Sequence, residues 1–527
     1  MGYRAPMPQM TSTAPRAAAP APPASGAREV ELKLHVDARD LPRVLTLPAL
    51  AGRAEGPAVT RAVRTVYYDT PDLRLLARGV ALRIRHENGA RVQGVKTMGA
   101  DAAGDSAGIA VRQEWESPLP GHAPDFALLD AGGGGALIPA DARESLGVIF
   151  ETDLRRTTLL VRLDSLTTVE VAVDEGRVQA GPAAEAVAEV ELELKSGRAS
   201  RLFELALALQ DAVPVRIGTE NKAEVGYRLV TGRTPAPVLP EPLALSPLTT
   251  VAEAFRHIVR HALRHLLANE ACALARGDTE GLHQIRVALR RLRTAQRLFG
   301  PLVGAEAADG FRRDLRRLAS RLRAAREWDV LLAALLAPGA PAAAESLTGA
   351  AHDARRAPLD EAVAAIRAPR CTGVVLRLAA WLEDGRWHAD AAARAVLDRP
   401  MSELAGPWLT GLHARARKAG KDAGTLDEAG RERLRRRLRR LNYTVEFFRG
   451  LYPPDSARAY GTALAALLDA LDAAHDATVA AGRLAGLDAP GARATAKWLG
   501  KRAAQRHRAL PALWKAFKDA PPFWEFR

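Results

Sequence analysis

From Glu29 to about Arg233 apolar and polar residues alternate with a period of two, and beyond Thr250 apolar residues return every three or four positions. The first stretch predicts eight antiparallel strands near 28–34, 65–69, 81–85, 92–96, 111–116, 157–163, 169–174 and 188–194. Turn sequences at Glu87-Asn88-Gly89 and Asp174-Glu175-Gly176 separate several of them. Two helical stretches, 41–51 and 198–211, interrupt the alternation, so the N-terminal part is α+β.

Prolines crowd positions 233–249, which reads as a linker because such a segment holds no helix. The all-α part that follows, 250–520, is divided by Gly and Pro into eight to ten helices. It contains an internal repeat: Arg286, Arg290 and Arg291 align with Arg435, Arg439 and Arg440. Each set is followed by a helix with an acidic stop, Glu327-Trp328-Asp329 and His475-Asp476, which predicts two related bundles.

Composition narrows the partners. The chain has 527 residues, enough for two buried cores, and a net charge of +14 that asks for a polyanion: nucleic acid, membrane surface or phosphate polymer. Cys272 and Cys371 are too few for a disulfide framework or a cysteine metal site, and they suggest a reducing, cytoplasmic setting. Residues 1–27 are rich in Ala, Pro and Ser without an apolar core, so they read as a disordered leader and not a signal peptide. No apolar run approaches the length of a membrane span.

The charged strand faces carry the candidate chemistry. Glu29, Glu31 and Lys33 share one face and Val30, Leu32 and Leu34 the other. Similar rows are Arg83 and Arg85, Lys96, Arg112 with Glu114 and Glu116, Arg156, Glu170 with Asp174, and Glu189, Glu191 and Glu193. A solvated sheet face accounts for any one row. The whole set fits better with a closed barrel whose charges face inward, since clustered carboxylates repel unless a cation lies among them. Hard oxygen ligands suit Mg²⁺ or Mn²⁺, and Arg and Lys neutralise phosphate, which together make a site for hydrolysing a phosphate chain.

Glu29-x-Glu31-x-Lys33, Tyr67-Tyr68-Asp69-Thr70-Pro71, Leu82-Arg83-Ile84-Arg85, Lys96, Asp153-Leu154-Arg155-Arg156, Asp174-Glu175-Gly176, Glu189-Val190-Glu191-Leu192-Glu193, Asn221-Lys222 and Gly226-Tyr227 occur in this order. The series resembles the CYTH domain of triphosphate tunnel metalloenzymes over about 28–232. The resemblance implies an eight-stranded tunnel that hydrolyses triphosphates. Glu29, Glu31, Asp174, Glu189, Glu191 and Glu193 then become metal candidates. Arg83, Arg85, Lys96, Arg112, Arg156 and Lys222 become phosphate ligands beside Lys33, and the catalytic candidates are Lys33, Glu114 and Glu116. Gly94 and Asn221 depart from the family pattern, where Thr and Ser are common.

On the predicted helix through His283, Arg286, Arg290, Arg293 and Arg297 form one stripe opposite Ile285, Leu289, Leu292 and Phe299. Arginines without interleaved aromatic residues fit a phosphate polymer better than bases that need stacking platforms. The pattern from His283 to Arg293, its partial repeat at 435–443 and the segment 325–331 resemble the CHAD domain over about 248–520. That resemblance implies inorganic polyphosphate binding by His283, Arg286, Arg290, Arg291, Arg293, Arg435, Arg439 and Arg440. Glu432 and Asn442 replace the expected His and Arg of the second repeat, which shifts the expected centre of binding to the first.

The expectation is a metal-dependent inorganic triphosphatase joined to a polyphosphate-binding helical module, cytoplasmic and associated with polyphosphate granules. Competing readings keep the tunnel but change its substrate to a nucleoside or thiamine triphosphate, or to ATP cyclisation. Another makes the chain a non-catalytic granule binder, and nucleic-acid binding is the weakest. The acidic rows separate these classes, because carboxylates without metal repel phosphate.

Overall fold

The computed structural model describes residues 27–98, 108–275 and 279–525. The leader predicted at 1–27 lies outside these residues except for Ala27, which opens the first strand. Two compact units emerge, Met1–Pro235 with Val375–Asp384, and Ala236–Val374 with Gly385–Arg527.

The first unit is built on strands β1 (Ala27–Val36), β2 (Val59–Asp69), β3 (Val80–Glu87), β4 (Ala90–Thr97), β5 (Ile109–Pro118), β6 (Gly147–Arg162), β7 (Thr168–Ala180), β8 (Ala183–Ser196) and β9 (Val215–Ile217). They pair antiparallel in the order β5-β4-β3-β2-β6-β7-β8-β1, and β1 pairs back onto β5 to close an eight-stranded barrel. Closure leaves no free edge around the ring. β9, which the alternation did not predict, is three residues long and extends the sheet beside the end of β1. The β3–β4 hairpin turns at Asn88 and Gly89, both at positive φ, as its sequence predicts.

Asp174-Glu175-Gly176 is not a turn. It lies inside β7, paired with β6 on one side and β8 on the other. Gly176 is required by proximity, since a Cβ there would come within 2.1 Å of the Asp153 carbonyl oxygen.

The predicted 41–51 helix is broken into α1 (Leu41–Val44) and α2 (Pro48–Ala51). Pro48 pushes Leu47 into extended backbone, φ −64° and ψ 136°. Short helices α3 (Arg74–Ala77) and α4 (Phe126–Ala131) follow, then α5 (Ser200–Gln210), which packs on β1 and β8, and α6 (Lys222–Thr231), which packs on β6, β7 and β8. Glycine at 226 lets α6 approach the sheet, because a Cβ would lie 2.1 Å from the Phe150 ring. Asp69 fixes the same region: it accepts from the backbone N–H groups of Thr70, Leu75 and Leu76 and from the Tyr227 hydroxyl at 2.9 Å.

The second unit contains α7 (Val251–Ala268), α8 (Glu270–Leu274), α9 (Thr279–Phe299), α10 (Ala305–Arg321), α11 (Arg323–Leu335), α12 (Ala342–Arg367), the start of α13 (Pro369–Asp384), α14 (Ala391–Leu397), α15 (Met401–Ala419), α16 (Glu428–Phe448), α17 (Pro454–Ala485) and α18 (Ala492–Asp519). The helices outnumber the expectation because two breaks use neither Gly nor Pro, at Asn269 and at Leu322. Conversely, Pro358, Pro407 and Pro511 lie within helices, where packing outweighs propensity. Ile285, Leu289, Leu292 and Phe299 of α9 are buried, as the stripe predicts.

The proline-rich segment has no regular structure from 233 to 249, yet part of it is held by the helices. The Val238 N–H donates to Asn269 Oδ1 at 2.9 Å, Asn269 Nδ2 donates to the Val238 carbonyl at 2.9 Å, and Leu243 and Leu245 are buried.

Candidate functional site: a charged tunnel and an arginine cluster

Alternation on each closed strand sends every second side chain into the barrel, which holds an open-ended cavity of about 560 Å³. Its wall includes Glu29, Glu31, Lys33, Arg83, Arg85, Lys96, Glu114, Glu116, Arg156, Glu170, Glu191, Glu193 and Lys222. The charges pair between adjacent and next-but-one strands. Lys33 donates to Glu189 at 3.3 Å and to Glu191, and Lys96 to Glu29. Arg83 reaches Glu114 and, at 3.0 Å, Glu116, which also pairs with Arg85.

Asp174, Glu189 and Glu191 offer one oxygen each within 4.8 Å of one another. The Lys222 ammonium is bonded to all three carboxylates, 2.7 Å from Asp174 Oδ2 and 2.9 Å from Glu191 Oε1. Asn221 places it there: its side chain caps α6 in a box with Glu224, so Lys222 starts the helix and reaches into the lumen. Arg156 forks onto Asp174 at 2.7 and 2.6 Å and reaches Glu191 at 2.6 Å.

The electrostatics follow from these partners. Burial opposes charge at Lys33, yet Glu189 and Glu191 outweigh it and raise its pKa, so the ammonium is a fixed charge and not a base. The same contest, with burial opposed by Lys222, Lys33 and Arg156, holds Glu191 well below the carboxylate range. Asp174 is lowered against burial by Lys222 and Arg156, and Glu31 by Lys33. Despite burial, Arg83 and Lys96 hold Glu114 at about 2, which makes it an anchor for cations and a poor proton acceptor. Glu29 goes the other way: burial, then repulsion from Glu31 and Glu114, outweighs Lys96 and raises it.

Three sequence candidates stand behind the wall. Arg112 is buried and clamps Glu31 at 2.6 Å, Asp174 is fully buried, and Glu189 is 4% exposed. Arg112 is therefore placed to orient Glu31 and not to line the cavity. Glu193 is separate from the carboxylate cluster and pairs with Lys195 at 2.7 Å, which also lies 3.5 Å from Glu170. Arg28, Tyr67, Met98 and Lys195 also line the cavity and were missed. Lys195 was legible, since it continues the 189–191–193 row of β8.

In the helical unit, α9 and α16 are both 21 residues long and carry the two aligned basic segments. Around α9, burial and neighbouring guanidinium groups depress one another. Burial, Arg326, Arg290, Arg286 and Arg439 lower His283 to about 3. Burial with Arg290, Arg326 and Arg323 lowers Arg286 to about 10. Arg293 is lowered by burial, Arg297 and Arg316, and Arg440 by burial, Arg297 and Arg415. The stripe on α9 thus extends to cations of α10, α11, α15 and α16.

Three other sequence candidates there, Arg291, Arg435 and Arg439, are already paired. Arg291 turns into the core, 3% exposed, donating to Glu446 at 2.8 Å and lying 5.5 Å from the centre of the Phe447 ring. In the second repeat Asp472 pairs with Arg435 at 3.1 Å and with Arg439. The i+1 position of Arg291 beside Arg290 already put it on a different helix face.

A closed antiparallel tunnel with interleaved carboxylates and cations, followed by a helical bundle with a concentrated arginine cluster, defines the class of the protein. The family is equally plain: residues 27–227 match the CYTH domain model and residues 257–485 the CHAD domain model, so the chain carries a CYTH domain followed by a CHAD domain. It is similar to an inorganic triphosphatase of Haemophilus influenzae, 34% identical over 166 residues, which is 31% of this chain. The match spans 44% of that relative's length. The CHAD domain from the plant Ricinus communis is 31% identical with a TM-score of 0.48, covering 55% of this chain and 99% of that one. A Hippeastrum adenylyl cyclase homologue with a dominant triphosphatase activity is 18% identical with a TM-score of 0.29, covering 40% of this chain and 98% of that one. Among the described residues no helix is long and apolar enough to cross a membrane.

Proposed function

We propose that the tunnel hydrolyses inorganic triphosphate with the help of Mg²⁺ or Mn²⁺, and that the arginine cluster binds inorganic polyphosphate. The observation that carries the first half is the cluster of Asp174, Glu189 and Glu191 at the tunnel wall, interleaved with the cavity-lining Lys33, Arg156 and Lys222. Its donors are hard carboxylate oxygens, which fit a hard divalent cation. Glu31, close enough to repel Glu191, belongs to the same set. The similarity to an inorganic triphosphatase supports the same reaction.

A bound divalent cation supplies Lewis-acid polarisation of the scissile phosphoryl group. The chain's own residues do the rest. Lys33, Lys222 and Arg156 exchange their carboxylate partners for phosphate oxygens, and Arg83, Arg85 and Lys96 neutralise the far end of the chain. Arg112 and Glu114 hold Glu31 and Arg83 in register for that exchange. A non-catalytic binder gains nothing from this row of acids.

The second half rests on cations that repel one another around α9. A polyanion relieves that repulsion, and the absence of aromatic residues from the stripe favours phosphate over bases. Holding a polymer on the same chain raises the local concentration of ends for the tunnel. Two free, buried cysteines suit the cytoplasmic setting we propose, and polyphosphate binding would place the chain at granules. The test is phosphate release from inorganic triphosphate, ATP, thiamine triphosphate and polyphosphate with each metal. Inorganic triphosphate is expected to give the highest kcat/KM, and preference for a nucleotide would overturn the substrate assignment.

A further inference from the structure

α18 lies beyond the matched CHAD residues and presents a second basic surface. It carries eight Lys and Arg residues against a single acid, Asp519. At 100° per residue, Arg493, Lys497, Lys501, Arg508, Lys515 and Lys518 fall within about a 100° arc, and at 1.5 Å per residue they span about 38 Å. All six are exposed. Lys515 pairs with Asp519 at 2.8 Å, while Arg493, Lys497, Lys501 and Arg508 make no ion pair among the described residues.

The opposite face is committed. Thr495, Leu499, Ala503, Leu510, Trp514 and Phe517 are buried, with Leu499 in a core shared with α11, α12 and α17. An amphipathic helix whose apolar side is consumed by its own bundle has nothing to insert into a bilayer. Nor does the basic face offer a stacking platform: Trp498 lies off the arc and is covered by Arg502, 4.8 Å from its ring centre. The surface therefore recognises charge along a line, with nothing on it to insert into a bilayer or to stack on a base.

We infer that α18 is a second polyphosphate-docking strip, distinct from the α9 cluster, which engages chains long enough to run along the helix. This inference rests on the polyphosphate reading of the helical unit. Each phosphate contact on a flexible polyanion adds about 0.7 to the slope of log affinity against log salt. Reversing Lys497, Lys501 and Arg508 to Glu should lower that slope by about 2 and weaken long-chain binding by about tenfold at low salt.

The experiment compares the full chain with Lys497→Glu/Lys501→Glu/Arg508→Glu and with the neutral triple Gln variant, using long-chain and short-chain polyphosphate, duplex DNA and anionic vesicles. Circular dichroism melts check folding. The expected result is weaker long-chain binding, less severe in the Gln variant, with short-chain binding at the α9 cluster unchanged. Equal affinity of all three proteins for long chains overturns the inference, as does loss of short-chain binding in step with long. Loss confined to DNA or vesicles reassigns the strip. Failure of the unaltered protein to bind any polyphosphate overturns the polyphosphate reading itself.

Discussion

Replacing Lys222 with Met should tighten divalent metal binding to the tunnel while weakening triphosphate binding. The ammonium is held by Asp174, Glu189 and Glu191, the three carboxylates best placed for a cation, and its side chain is 12% exposed. Two unit charges about 4 Å apart interact by about 4 kcal/mol at an effective dielectric of 20, and relaxation of Lys33 and Arg156 into the gap offsets part of this. A net gain of about 1.4 kcal/mol, or tenfold in affinity, is a conservative expectation. The assay is titration of free Mn²⁺ by electron paramagnetic resonance without phosphate, repeated with inorganic triphosphate at low temperature. Lys222 also loses a phosphate contact in the variant, so KM for triphosphate should rise at least tenfold. Weaker Mn²⁺ binding in Lys222→Met would refute the reasoning that cation and metal compete for one set of oxygens.

Gly226→Ala should destabilise the tunnel unit by about 1–3 kcal/mol, because its methyl meets the Phe150 ring and the helix must shift; thermal melts check this. Asp472→Asn should strengthen polyphosphate binding severalfold by releasing Arg439, while Arg435 stays paired with Glu432 at 2.7 Å, measured by calorimetry; unchanged affinity would leave Arg439 outside the site. Polyphosphate affinity should rise as the solution is acidified. His283 is held at about 3 in the free protein, a polyanion raises its pKa, and the bound state therefore takes up a proton. His283→Gln should flatten that rise. The same depression costs folding stability as pH falls from about 6.5 towards 3, since the unfolded imidazole binds the proton first.

Period-two alternation disclosed every strand of the barrel, because each has one apolar and one charged face. It missed β9, whose three residues are too few to show a period. Asp174-Glu175-Gly176 has turn chemistry, but the need for Gly176 is set by the β6 backbone, a contact distant in sequence. The inward rows of charge were legible as rows. Which charges touch the cavity was not: Arg112 shares the face of Glu114, yet its position beside Glu31 turns it into a clamp. In the helical unit the α9 stripe was readable from spacing alone. The neutralisation of Arg439 required knowing that Asp472, more than thirty residues later, returns against it, whereas Glu432, three residues before Arg435 on the same helix, was a legible partner. The helix break at Leu322 was hidden because local sequence there carries no breaker, while Asn269 is only a weak stop signal.

The central claim is that tunnel carboxylates hold the ion that allows a basic lumen to cleave triphosphate. Phosphate release from inorganic triphosphate with Mg²⁺ or Mn²⁺, compared between the unaltered protein and Glu31→Gln, tests it most directly. Glu31 is 4% exposed and Gln keeps its shape, while thermal melts check the loss of its buried ion pair with Arg112. The account predicts a loss of about 100-fold or more in kcat/KM, equivalent to about 2.7 kcal/mol of transition-state stabilisation. Equal rates in the two proteins would contradict it.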